Sequence, residues 1–166
     1  MPDTQPLHDA FLEDHRKLTR GLSGLIAALA AHDMPGARRT AERLDREAGP
    51  HMAFEETVFY PACERFLGEG KTDTLYDEHA EGQAAVRWLL DHEDGDRLGP
   101  ADRARLLAQA RVALDHAIGC GSLLSYVERF EPAERRRMLE RLLALRREGP
   151  RWTSLATREH HHQHVG

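Results

Sequence analysis

Apolar residues recur in a 4-3-4-3 rhythm along four stretches of this chain, and each stretch places a histidine on its apolar seam. In the first, Phe11, His15, Leu18, Leu22, Leu25 and Leu29 share one helical face. In the second, the face carries Ala37, Ala41, Leu44, Ala48, His51, Glu55, Val58 and Ala62. The third is weaker: Leu75, His79, Gly82, Val86 and Leu89. The fourth runs Leu106, Gln109, Ala113, His116, Cys120, Leu123, Val127 and Phe130. Helices that each bury one stripe, joined by short loops, pack most simply as neighbours of alternating direction. The expected fold is all-α: an up-and-down antiparallel four-helix bundle with a short fifth C-terminal helix.

Glycine and proline set the boundaries. The first helix should run from about Pro6 to His32, before Asp33-Met34-Pro35-Gly36. The second should run from about Pro35 to Leu67 and stop at Gly68-Glu69-Gly70, with a kink at Gly49-Pro50. The third should cover about Thr72 to His92, and the fourth about Pro100 to Phe130, with Gly99-Pro100 opening it. A charged fifth helix follows from Pro132 to about Arg147. This gives one domain over residues 1–148 and a His-rich flexible tail over 149–166.

Composition excludes several classes of function. The 166 residues suit one sizeable core. A net charge of −5, with basic residues spread along the chain, offers no stripe for nucleic acid. No apolar run approaches the ~20 residues that span a bilayer. Met1-Pro2-Asp3-Thr4-Gln5-Pro6 lacks the basic start and apolar core of a signal peptide. The expected location is therefore cytoplasmic, where Cys63 and Cys120 are expected as free thiols. With His51 and His116 level on parallel helices, these cysteines differ by about 12 Å in height at ~1.5 Å per residue. A disulfide spans only ~7 Å between Cα atoms.

One histidine on an apolar seam is ordinarily a hydrogen-bonded core residue. Four together with the Glu55 carboxylate are costly to bury, by several kcal/mol, unless paired or bound to a cation. His51 and Glu55, at i and i+4, share one face and can chelate one site. Imidazole with carboxylate suits iron, manganese or zinc.

The segment from His51 through Glu55-Glu56 to Phe59-Tyr60-Pro61 resembles the H-x-x-x-E-E-x-x-L-F-P pattern of hemerythrin-like (HHE cation-binding) domains. Glu13-Asp14-His15 resembles the family's first-helix element, Asp77-Glu78-His79 its third, and Asp115-His116 its fourth. The resemblance spans about residues 7–130. It implies a di-iron centre that binds dioxygen or related small oxidants. One iron would take His15 and His51, the other His79 and His116, with Glu55 bridging.

The chain departs from that pattern at one place. Where the family carries a second bridging carboxylate, four or five residues after the fourth-helix histidine, this chain has Cys120 and Gly121. Three readings follow: two irons with solvent filling the gap, one metal with Cys120 as thiolate ligand, or a bundle that has lost its metal. Cys120 itself is either a ligand beside His116 or a small buried hydrophobe. Gly119 and Gly121 weaken the helix around it, so local widening or close backbone approach is expected.

The remaining candidates weigh less. His32 and His92 read as helix-end caps, His8, seven residues before His15 on the same face, as a solvated residue near the helix start, and the tail histidines of Glu159–His164 as a flexible, metal-accessible cluster. Glu56 and Glu78 adjoin ligands off the seam and read as solvated surface; Tyr60 likewise adjoins the site. The resulting expectation is a non-haem iron protein acting on dioxygen, peroxide, superoxide or nitric oxide as carrier, scavenger or sensor. The alternatives are a mononuclear iron redox enzyme using Cys120 and a metal-free interaction module with an unknown protein partner.

Overall fold

The computed structural model describes residues 5–156. Six α-helices follow in order: α1 (Gln5–Ala30), α2 (Met34–Phe54), α3 (Tyr60–Leu67), α4 (Glu69–Leu90), α5 (Pro100–Gly119) and α6 (Pro132–Glu148). A π-helical turn, Glu55–Phe59, joins α2 to α3, so these form one continuous helical rod. Asp33 caps the start of α2 by accepting from Gly36 N at 2.9 Å. Gly68, at φ +82°, turns the chain between α3 and α4 in a conformation that favours glycine. α6 opens on a reciprocal capping box between Glu131 and Glu134.

The bundle is the expected one. α1 packs on α2 and α5, and α4 packs on the same two, which closes a four-cornered ring. α6 lies across α1 and α2. The core divides along the bundle axis into two apolar layers. One is built from Leu18, Leu22, Leu25, Leu44, Val86, Leu89 and Leu106. The other gathers Leu7, Phe11, Phe54, Phe59, Val127 and Phe130. The buried histidines sit between the layers: His15 follows Phe11 and precedes Leu18, and His51 lies between Ala48 and Phe54.

The second helix runs through Gly49-Pro50 without a break, and its ladder changes at Glu55–Phe59. Gly49 is required for packing, because a Cβ there would collide with the carbonyl of Pro150. Three expectations need correction. The fourth helix does not continue as α to Phe130: it tightens into 3₁₀ geometry over Cys120–Arg129. The glycines around Cys120 thus release the α-helix into a narrower coil rather than a wider one, and no neighbouring chain approaches them.

The tail is the third. Residues 149–156 are packed rather than loose. Trp152 is 1% exposed, and Gln83 Nε2 donates to its carbonyl at 2.7 Å. Asp45 accepts from both N and Oγ1 of Thr153. The indole lies over Gly82, where a Cβ would stand 2.6 Å from Trp152 Cη2. The histidine cluster of residues 160–164 lies outside the described residues.

Candidate metal centre

His15, His51, Glu55, His79, His116 and Cys120 converge in one buried layer, although α1, α2, the turn after α2, α4, α5 and the 3₁₀ segment after α5 supply them separately. Glu55 is its midpoint. Oε1 lies 3.4 Å from His15 Nε2, 3.2 Å from His51 Nε2 and 3.1 Å from Cys120 Sγ. Oε2 lies 3.0 Å from His79 Nε2. Two clusters, His15–Glu55–Cys120 and Glu55–His79–His116, each bring three donor atoms within 4.8 Å of one another. One carboxylate therefore serves two half-sites.

Each imidazole is oriented through its other nitrogen. His15 Nδ1 donates to the Ala117 carbonyl at 3.1 Å. His51 Nδ1 donates to Asp14 Oδ2 at 3.2 Å. His79 Nδ1 donates to Glu56 Oε1 at 2.9 Å, and His116 Nδ1 donates to Glu78 Oε2 at 2.6 Å. These acceptors hold the Nδ1 side of each ring and aim Nε2 of His15, His51 and His79 at Glu55 and that of His116 at His79, the arrangement that outer-shell acceptors impose on metal-binding histidines.

Sequence reasoning placed Glu56 and Glu78 on the solvated surface. The structure corrects this: both reach inward over the rim of the layer to hold histidines. Their signal was present in the sequence as acidic residues beside each ligand, at Asp14, Glu56 and Glu78. Asp14 is further held by Arg146 of α6, which donates to Oδ1 at 2.8 Å. His8, by contrast, stays at the surface beside Asp9, apart from the layer.

Tyr60 also enters the layer. Its hydroxyl lies 2.9 Å from Glu55 Oε2, 3.0 Å from His79 Nε2 and 3.1 Å from His116 Nε2. The π-helical turn explains this position. On a straight α-helix Tyr60 would point ~140° away from Glu55. The wider turn, closed by Tyr60 N–H donating to the Glu55 carbonyl, rotates it onto the same face. The buried face after Glu55 accordingly runs through Phe59, Tyr60 and Cys63, one residue out of step with the expected Val58 and Ala62.

The layer is short of positive charge. Burial opposes the ionised form of Glu55, yet the His51 charge and three histidine hydrogen bonds hold its carboxyl well below the ordinary range. Burial likewise opposes protonation of His51, but Glu55 and Asp14 outweigh it and raise its pKa to about 9. His116 is pushed down by burial and by the neighbouring His79 charge. His79 and His116 present Nε2 to Nε2 at 3.0 Å, with both Nδ1 protons committed to carboxylates. Burial opposes protonation of His79, but Glu55 and Glu56 raise its pKa, so its Nε2 proton faces the His116 lone pair at a place a metal ion would also fill. His51 Nε2 is buried, with Glu55 Oε1 at 3.2 Å the charged group it faces. Imidazole nitrogens, a shared carboxylate and oriented Nδ1 groups are a donor set that fits a borderline divalent transition metal.

The apolar flank is aromatic. Phe11 stacks on His15 at 4.4 Å and meets the edge of His51 at 4.9 Å. Cys63 and Cys120 are both free thiols, as expected.

A helical bundle with a buried layer of four histidines around a shared glutamate defines a class of cation-binding bundle proteins. The family model described as hemerythrin HHE cation-binding domain matches residues 7–118, and this chain belongs to that family. No curated protein and no solved structure matches the chain. The matched region ends two residues before Cys120, where the fourth helix leaves α geometry.

Proposed function

We propose that this chain holds iron in the buried layer and acts as a non-haem iron protein toward dioxygen or a related small oxidant such as peroxide, superoxide or nitric oxide. The observation that carries the proposal is the division of the layer into two half-sites on opposite oxygens of Glu55. His15, His51 and Cys120 would serve one ion, and His79 and His116 the other, with Glu55 common to both. This favours two ions over one. The single-ion reading, with Cys120 as thiolate, draws its support from the 3.1 Å approach of Sγ to Glu55 Oε1.

Iron, when bound, supplies the reversible electron transfer and open coordination that small oxidants require. The chain's own residues do the rest. Asp14, Glu56, Glu78 and the Ala117 carbonyl keep each Nε2 lone pair directed inward. Phe11 and Phe59 pack against the His15 side and keep bulk water from it. A surface groove lined by Leu12, Arg16, Ala117 and Ile118 reaches His15 and offers a small molecule an approach. Among the described residues no helix is long and apolar enough to cross a membrane, and a cytoplasmic setting belongs to this proposal.

Anaerobic loading with Fe(II), followed by metal counting, tests the reading. Two irons per chain and an optical change on exposure to dioxygen or peroxide are expected. One iron, with a sulfur-to-iron band lost in Cys120→Ser, would favour the single-ion reading. No stoichiometric transition metal would leave only a metal-free bundle.

A further inference from the structure

We propose that Tyr60 is a metal ligand, bound as phenolate in the His79/His116 half-site; this rests on the metal-centre reading above.

The Tyr60 hydroxyl is fully buried and meets three ligand-type atoms of one half-site: Glu55 Oε2 at 2.9 Å, His79 Nε2 at 3.0 Å and His116 Nε2 at 3.1 Å. Cys120 Sγ stands further out at 3.8 Å. With both Nδ1 atoms committed to Glu56 and Glu78, the two Nε2 atoms, the carboxylate oxygen and the phenol oxygen converge on one point. A cation at that point accepts a lone pair from all four at once.

A π-helical turn replaces the stronger α-helical ladder for five residues, Glu55–Phe59. Its result is to put the Tyr60 oxygen on the Glu55 face. Tyr60 is also enclosed: Tyr76 packs edge-on at 5.4 Å and His79 at 5.3 Å, so the ring has no route out of the layer. The phenol thus supplies an anionic oxygen to the His79/His116 half-site. A thiol faces Oε1 of Glu55 and a phenol faces Oε2.

The step is an exchange of cations. The phenolic O–H bond breaks, an O–metal bond forms, and one proton per chain leaves to solvent. No electron is transferred.

Iron-loaded, air-oxidised protein tests this without reference to activity. A phenolate-to-iron absorption band is expected, with resonance Raman ring modes that shift when the tyrosines are ring-deuterated. Tyr60→Phe should abolish the band, and Tyr76→Phe should leave it, since the Tyr76 hydroxyl is occupied by the Glu56 carbonyl at 3.0 Å. If Tyr60→Phe fails to fold, the isotope shift in the unaltered chain still decides. Loaded protein with no such band, or with a band that persists in Tyr60→Phe, overturns this inference alone. A chain that takes up no metal overturns both it and the metal reading.

Discussion

Arg146 donates to Oδ1 of Asp14 at 2.8 Å, while the other oxygen of Asp14 accepts from His51 Nδ1. The last long helix is thereby wired to the first half-site through one carboxylate. Burial alone would raise the pKa of Asp14, yet His51 and Arg146 together bring it below its ordinary value. Replacing Arg146 by Met keeps the side-chain stem and removes the charge. We expect this to weaken metal affinity at the His15/His51 half-site by roughly 10-fold, the lower end of outer-shell effects. A chelator competition with two resolved binding phases checks it, and equal affinity in both proteins would refute the link.

Glu56 and Glu78 act on the opposite half-site, where they hold His79 and His116. Glu56→Gln and Glu78→Gln retain an acceptor and remove a charge. Each should weaken the His79/His116 half-site by about 10–100-fold and leave the His15/His51 phase unchanged. If either variant depressed both phases equally, the half-sites would be a single unit.

Metal should stabilise the fold itself, because the unfolded chain cannot assemble donors from separate helices. At free metal 100 times the dissociation constant, the gain is about 2.7 kcal/mol. The melting temperature should therefore rise on loading and fall again with chelator. In Glu55→Gln, which removes the shared anion, the shift should be largely lost. A melting temperature indifferent to metal in the unaltered chain would count against the site.

Gly49 and the 149–156 segment test the packed tail. The Pro150 carbonyl approaches Gly49 too closely for any Cβ. Gly49→Ala should displace the segment and cost about 1–3 kcal/mol, as overpacking does. Trp152 fluorescence should shift toward that of a solvated indole, since the ring is buried. An unchanged emission spectrum would show that the tail tolerates the methyl group.

The order of amino acids by itself determined the bundle and most of its polar layer. A 3.6-residue period writes one buried stripe per helix, and His15, His51, Glu55, His79, His116 and Cys120 all occupy such stripes. What depends on departures from that period was illegible. Tyr60 lies off the α-helical stripe and enters the site only through the π-helical turn. Glu56 and Glu78 are off the stripe too, and they reach histidines on neighbouring helices with long side chains whose direction periodicity does not encode. Arg146 meets Asp14 across 132 positions of sequence, a distance that local pattern cannot bridge. Local spacing chose the inward-facing donors; the packing of helices against one another decided which acceptors orient them.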